Sequence, residues 1–132
     1  MKRSFGLGLI LLLSLLFLAG CGAKPVGSLS QTQGDLSATL SFDPDPPAMM
    51  TSELLTLALT DAAGQPVDGA EVTFDLTMPA MQMPPNQPAA TSAGDGLYQA
   101  EATLTMSGGW QADAAVLLDG ETVHFTFNFD VE

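Results

Sequence analysis

An immunoglobulin-like antiparallel β-sandwich of about six to seven strands is the fold class predicted for this 132-residue sequence. Three observations predict it. Apolar residues alternate with polar ones at a period of two in six separate runs, which is the pattern of strands with one buried face. From residue 35 onward, prolines and glycines fall between those runs, where they interrupt no hydrogen-bonded ladder. No segment beyond residue 20 shows a helical period. Short strands at regular intervals, separated by turn residues, make a sandwich.

The elements follow in order. Leu36–Phe42 places Leu36, Ala38, Leu40 and Phe42 on one face, with Ser37, Thr39 and Ser41 between them. Asp43-Pro44-Asp45-Pro46-Pro47 ends that strand, because proline has no N–H to donate. Glu53–Thr60 sets Leu55, Leu57 and Leu59 in phase; leucine also suits a helix, but eight residues bounded by turn signals fit a strand. Asp61–Pro66 and Asp68-Gly69 read as turns. Ala70–Thr77 turns Val72, Phe74 and Leu76 one way and Glu71, Thr73 and Asp75 the other. Met78–Ala90 carries four prolines without alternation and reads as a loop, followed by a tight turn at Ser92–Gly96.

Leu97–Met106 aligns Tyr98, Ala100, Ala102, Leu104 and Met106, and Ser107-Gly108-Gly109 breaks it. Trp110–Leu118 aligns Trp110, Ala112, Ala114, Val116 and Leu118. Asp119-Gly120 is a strong hairpin signal. Thr122–Val131 closes the domain with Val123, Phe125, Phe127, Phe129 and Val131 inward, so His124 points outward. Pro47–Thr51 and Val67–Asp68 are candidates for short extra strands. The single Cys rules out the Cys…Trp…Cys pattern of a true immunoglobulin domain.

The charge distribution narrows function. Three bases (Lys2, Arg3, Lys24) stand against 15 acids, the first of which is Asp35, and the net charge is −12. Nucleic acid is excluded as a natural partner, because neutralising phosphates needs Lys and Arg. Anionic lipid headgroups are disfavoured for the same reason. One Cys permits no intramolecular disulfide. One His, with neither a nucleophile motif nor paired carboxylates, leaves no familiar catalytic constellation, so a non-enzymatic module is expected.

Residues 1–20 read as an export signal. Lys2 and Arg3 form the positive start, and Phe5–Leu18 is a Leu-rich run of h-region length, short for a membrane span. Leu18-Ala19-Gly20-Cys21 resembles the lipobox of bacterial lipoproteins. The resemblance implies lipidation of Cys21, and two or three acyl chains give firm anchoring at about 0.8 kcal/mol per buried CH₂. Gly22 in place of Asp, by likeness to enterobacterial sorting, permits transfer to the outer membrane; the expected location is the periplasmic side of the inner or outer membrane. Residues 21–34 then form the lipidated N-terminus and a flexible polar tether, and residues 35–132 the folded domain.

Six methionines follow Met1, and three of them sit in Met78-Pro79-Ala80-Met81-Gln82-Met83-Pro84-Pro85. Thioether sulfur is a soft, uncharged ligand that selects Cu(I), and no proton must leave for it to bind. In an extended strand Met81 and Met83 share a face; in polyproline II Met78 and Met81 share an edge. A third ligand then comes from a bend, from His124 or from Met49-Met50. The competing reading makes these methionines flexible apolar plugs, Met78–Met83 at one end of the sandwich and Met49-Met50 at the other, or a patch for docking an envelope protein. For His124, an exposed strand residue is the simpler reading; for Met106, core or edge packing.

An ordered set of motifs resembles the YtkA-like domain, a family grouped with FixH-like proteins. A Leu-rich strand is followed by Gly64-Gln65-Pro66-Val67, then Gly69, Ala70, Val72 and Phe74, and then Met78, Pro79 and Met81. Gly96 and Tyr98 come next, then Met106, Gly108, Gly109 and Trp110, then a Phe-rich terminal strand. The resemblance implies an immunoglobulin-like sandwich in the bacterial envelope, handling metal cations in oxidase assembly or beside copper-efflux adaptors. It carries over to Met78, Met81 and Met83 as copper ligands. Pro84-Pro85-Asn86 stands where relatives often place His or Gly.

Overall fold

The computed structural model describes residues 25–132; the predicted signal (1–20), Cys21 and the start of the tether lie outside them. The described chain is all β. Its eight strands are β1 (Leu29–Gln33), β2 (Leu36–Asp43), β3 (Ser52–Thr60), β4 (Glu71–Thr77), β5 (Thr91–Gly94), β6 (Leu97–Thr103), β7 (Gly108–Leu118) and β8 (Glu121–Val131). A five-stranded sheet in the order β1-β2-β3-β6-β5 packs against a three-stranded sheet in the order β4-β7-β8. Every neighbouring pair is antiparallel. This is the immunoglobulin-like sandwich that the alternation predicts.

Alternation sets each inner face. Leu40, Leu57, Phe74, Ala114, Val116 and Phe125 are fully buried, and the residues between them face outward. Small and large side chains are matched across the three-stranded sheet: Ala112 lies opposite Phe127 and Ala114 opposite Phe125. The alanines leave space that the neighbouring rings can fill, the matching of small and large side chains that close packing needs. Phe42 and Phe129 join the two sheets with ring centroids 4.7 Å apart. Buried Trp110 donates its indole N–H to the Met106 carbonyl at 2.9 Å, which satisfies the ring's one polar atom.

Two strands and several boundaries differ from expectation, among them the start of β7 at Gly108, inside the stretch expected to separate two strands. The predicted tether, residues 21–34, is too long, because Leu29–Gln33 forms an edge strand on β2. Its LSQTQ sequence is mostly exposed, so no apolar alternation announces it. Backbone pairing and the hydroxyl pairs Ser30–Thr39 (2.9 Å) and Thr32–Ser37 (3.0 Å) hold it instead. The expected turn at Ser92–Gly96 begins as strand β5 and turns only at Asp95-Gly96. The extra strands are therefore β1 and β5, not Pro47–Thr51 or Val67–Asp68. The strand expected over Leu97–Met106 ends at Thr103.

The proline-rich segment after β4 is partly ordered by hydrogen bonds. Leu76, Phe74 and Val72 on β4 bond to Asn86, Pro88 and Ala90 at 2.9, 3.0 and 2.9 Å. Pro88 takes part because its carbonyl accepts even though it has no N–H, the one role a proline can fill along an edge. The segment covers the edge of β4 before crossing to the other sheet as β5.

Antiparallel order gives the sandwich two ends. The lower end is bound by the Asp61–Ala70 connection, the Asp95-Gly96 turn and the Asp119-Gly120 turn. The upper end gathers the C-terminal ends of β2, β4, β6 and β8, together with the starts of β3 and β7.

Candidate functional site

The upper end holds all six methionines that follow Met1. Met78 continues directly from β4 and Met106 lies between β6 and β7. Met81 and Met83 belong to the arch between Met78 and Asn86, and the Asn86 side chain donates to the Thr103 carbonyl at 3.2 Å. Met49 and Met50 lie here too, not at the opposite end where a plug was expected. The Met49 N–H donates to the Glu132 carbonyl at 3.0 Å, the Glu132 N–H to Pro47 at 3.2 Å, and the Met50 N–H to Leu104 at 2.7 Å. These bonds fold the β2–β3 connection across the ends of β8 and β6. Sequence spacing carries no sign of this, because it depends on which strand ends share a side of the sandwich.

The Met78–Met81 segment is neither a strand nor polyproline II. The Met81 N–H donates to the Met78 carbonyl at 3.1 Å, closing a β-turn with Pro79 at its second position. Such a turn holds its first and last Cα atoms within about 7 Å, close enough for two long thioether side chains to meet. The environments of the methionines differ. Met78 is buried in the core, with its methyl facing Gly108: a Cβ there would stand 3.2 Å away. Met83 and Met106 pack partly buried against the core. Met81, Met49 and Met50 are 48%, 50% and 71% exposed, three of the four exposed large apolar side chains among the described residues. An open groove of about 520 Å³ runs beside Met78, bordered by Ala80, Gly108, Trp110 and Phe129.

His124 does not join this group. It points outward, as expected, and its Nδ1 lies 2.9 Å from Asp113 Oδ1 on the outer face of the three-stranded sheet. Its register partner is Ala115, five residues along β7 from Trp110, or about 17 Å. Among the described residues, no three or more His, Cys, Asp or Glu side chains are grouped to hold a metal ion.

Two acidic residues at this end, Glu53 and Asp45, take roles that local sequence does not announce. Glu53 shares the inward phase of Leu55, Leu57 and Leu59 and is fully buried. That phase was the available signal. Neither carboxylate oxygen makes a hydrogen bond of good geometry; the nearby Ala48 amide is at most a weak partner. Burial pushes its pKa up to about 7; the Ala48 amide pulls the other way, and the negative charges of Asp43 and Asp45 add to the rise. Asp45 stands in the proline-rich stretch that ends β2, and its two oxygens accept the N–H groups of Val26 and Gly27 at 2.7 and 2.9 Å. It pins the segment entering β1 to the upper end.

Comparison with known proteins supports the fold and the family. The family model described as YtkA-like matches residues 30–115. A DUF4426-family protein of Pseudomonas aeruginosa is similar in structure, with a TM-score of 0.59 at 18% identity over 79% of this chain and 94% of that one. The Lin-41 filamin domain is similar at a TM-score of 0.51 and 13% identity, over 79% of this chain and 98% of that one. No curated protein matches the chain.

Proposed function

The chain belongs to the YtkA-like family, and from that premise we propose that it is a non-enzymatic, lipid-anchored envelope protein that binds Cu(I) at its methionine end. The observation that supports this reading is the Met78–Met81 turn, which holds the two methionine backbones within about 7 Å of each other, a spacing that two thioethers can bridge around one soft ion. Met83, on the same arch, supplies the third. Met78 borders an open groove of this end, which offers an approach to the site from solvent. The sequence resemblance to FixH-like proteins, and the lipobox at Cys21, support delivery or buffering close to a membrane.

The test is a Cu(I) competition titration on the chain from residue 21 with Cys21→Ser, which removes the one thiol. A Met78→Leu, Met81→Leu, Met83→Leu variant is run beside it, with its fold checked by circular dichroism. One-to-one binding lost in the folded variant is expected. Binding retained in that variant, or absent from both proteins, overturns the copper reading.

A second reading has its own support. The exposed methionines Met49, Met50 and Met81 form an apolar, adaptable patch suited to docking an envelope protein. Docking of that kind is lost on Met→Ser but survives Met→Leu, whereas thioether coordination is lost on both.

A further inference from the structure

The methionine end is also the end from which the chain leaves toward Cys21. Asp45 clamps the Val26 and Gly27 amides at 2.7 and 2.9 Å. Pro25 and Val26 border a cleft with Pro46, Phe129 and Glu132, at the tip of β8. Five residue steps separate Cys21 from Val26, and a fully extended chain of that length spans at most about 18 Å. The 11 residues of β8 run to the opposite end, some 35 Å further at about 3.4 Å per residue. The tether is thus only about half as long as the domain it carries.

We propose that the methionine end is held facing the lipid surface, so that its partner is the extramembrane face of an integral membrane protein. The proposal rests on the lipid anchoring of Cys21 proposed above. A tether of this length keeps the upper end near the headgroups and leaves the lower end the further of the two. Lipid itself is a poor occupant. Residues 25–132 contain no Lys or Arg, and the upper end carries Asp43, Asp45, Asp130 and Glu132, which anionic headgroups repel. An embedded protein that rises to this level meets Met49, Met50 and Met81 directly. A freely diffusing carrier must reach the same face through the narrow gap above the membrane.

The test uses the full acylated chain in vesicles bearing a headgroup energy-transfer acceptor. A donor dye is placed at Met50→Cys on the upper end or at Ala62→Cys on the lower. Several-fold stronger transfer from position 50 is expected, and 20 Gly/Ser residues inserted after Gly22 should erase most of the difference. Equal transfer from both positions in a chain whose Cys21 is acylated by mass spectrometry overturns the orientation and leaves the anchoring intact. A chain without acyl mass on Cys21 removes the anchoring and the orientation together. In native membranes, a photo-cross-linker at position 50 should form adducts that resist carbonate extraction and fade with the long insertion. Adducts only with carbonate-extractable proteins overturn the choice of partner.

Discussion

The Tyr98 hydroxyl donates to the Val67 carbonyl at 2.8 Å and accepts the Ala70 N–H at 3.2 Å, tying the β3–β4 connection to the base of β6. The Tyr98 ring is buried at the lower end, so Tyr98→Phe keeps the packing and removes both bonds. A loss of about 1–2 kcal/mol is expected, because two partly buried backbone groups lose their partner. Urea unfolding of the two proteins measures it as a shift in midpoint at constant slope.

Glu53 makes stability depend on pH in a defined direction. Its pKa in the folded protein is raised from 4.5 to about 7. Below about pH 4.5 the group is protonated, folded or unfolded, and costs nothing by this route. As pH rises from 4.5 to 7 the unfolded chain releases the proton first, and stability falls. Above 7 the full cost remains, roughly 3 kcal/mol at 1.36 kcal/mol per pKa unit. Glu53→Gln removes this titration. Relative to the parent, the variant should gain stability steadily from pH 4.5 to 7 and hold that gain at pH 8. A stability difference that does not change with pH would count against a buried, titrating Glu53.

Gly96 is required for two separate reasons. Its φ is +71°, and a Cβ there would stand 2.6 Å from the Leu59 carbonyl oxygen and 3.0 Å from the Val67 nitrogen. Gly120 has a φ of +81° with no heavy atom within 4 Å of the same construction. Gly120→Ala should therefore cost only the backbone strain, about 1 kcal/mol. Gly96→Ala must also displace backbone and should cost more than about 3 kcal/mol or prevent folding. Thermal melts of the pair separate the two effects.

Met78 and Met81 close one turn but differ in burial, and truncation should separate them. Met78→Ala removes a core side chain and should cost about 2–5 kcal/mol. Met81→Ala, at a side chain 48% exposed, should change stability by less than about 0.5 kcal/mol. Chemical denaturation supplies the comparison. It also shows which methionine variants are safe in a copper titration.

The strands that carry the core were legible because their inner faces are strictly apolar at every second position. Leu55-Leu57-Leu59 and Phe125-Phe127-Phe129 needed no partner to be read. Strands β1 and β5 were not legible: Leu29–Gln33 and Thr91–Gly94 are mostly exposed, so backbone pairing to a neighbour defines them, and pairing leaves no periodic trace. Glu53 was legible in phase but not in meaning, since a carboxylate in an apolar register becomes notable only once no strong partner is found. Met78 was legible as one of a run of methionines, and its burial against Gly108 comes from the approach of β7.

The sequence by itself determined the fold class, the inner face of six strands, the outward direction of His124 and the cluster of methionines after β4. Each follows from a local period or a local run, which the chain carries wherever it folds. The tertiary structure alone decided that Met49-Met50 and Met106 share an end with that cluster. It also decided that Met78 and Met81 close one turn, and that Asp45 brings the segment entering β1 to the same place. Those relationships join residues tens of positions apart, and only the antiparallel stacking of two sheets assigns their strand ends to one side.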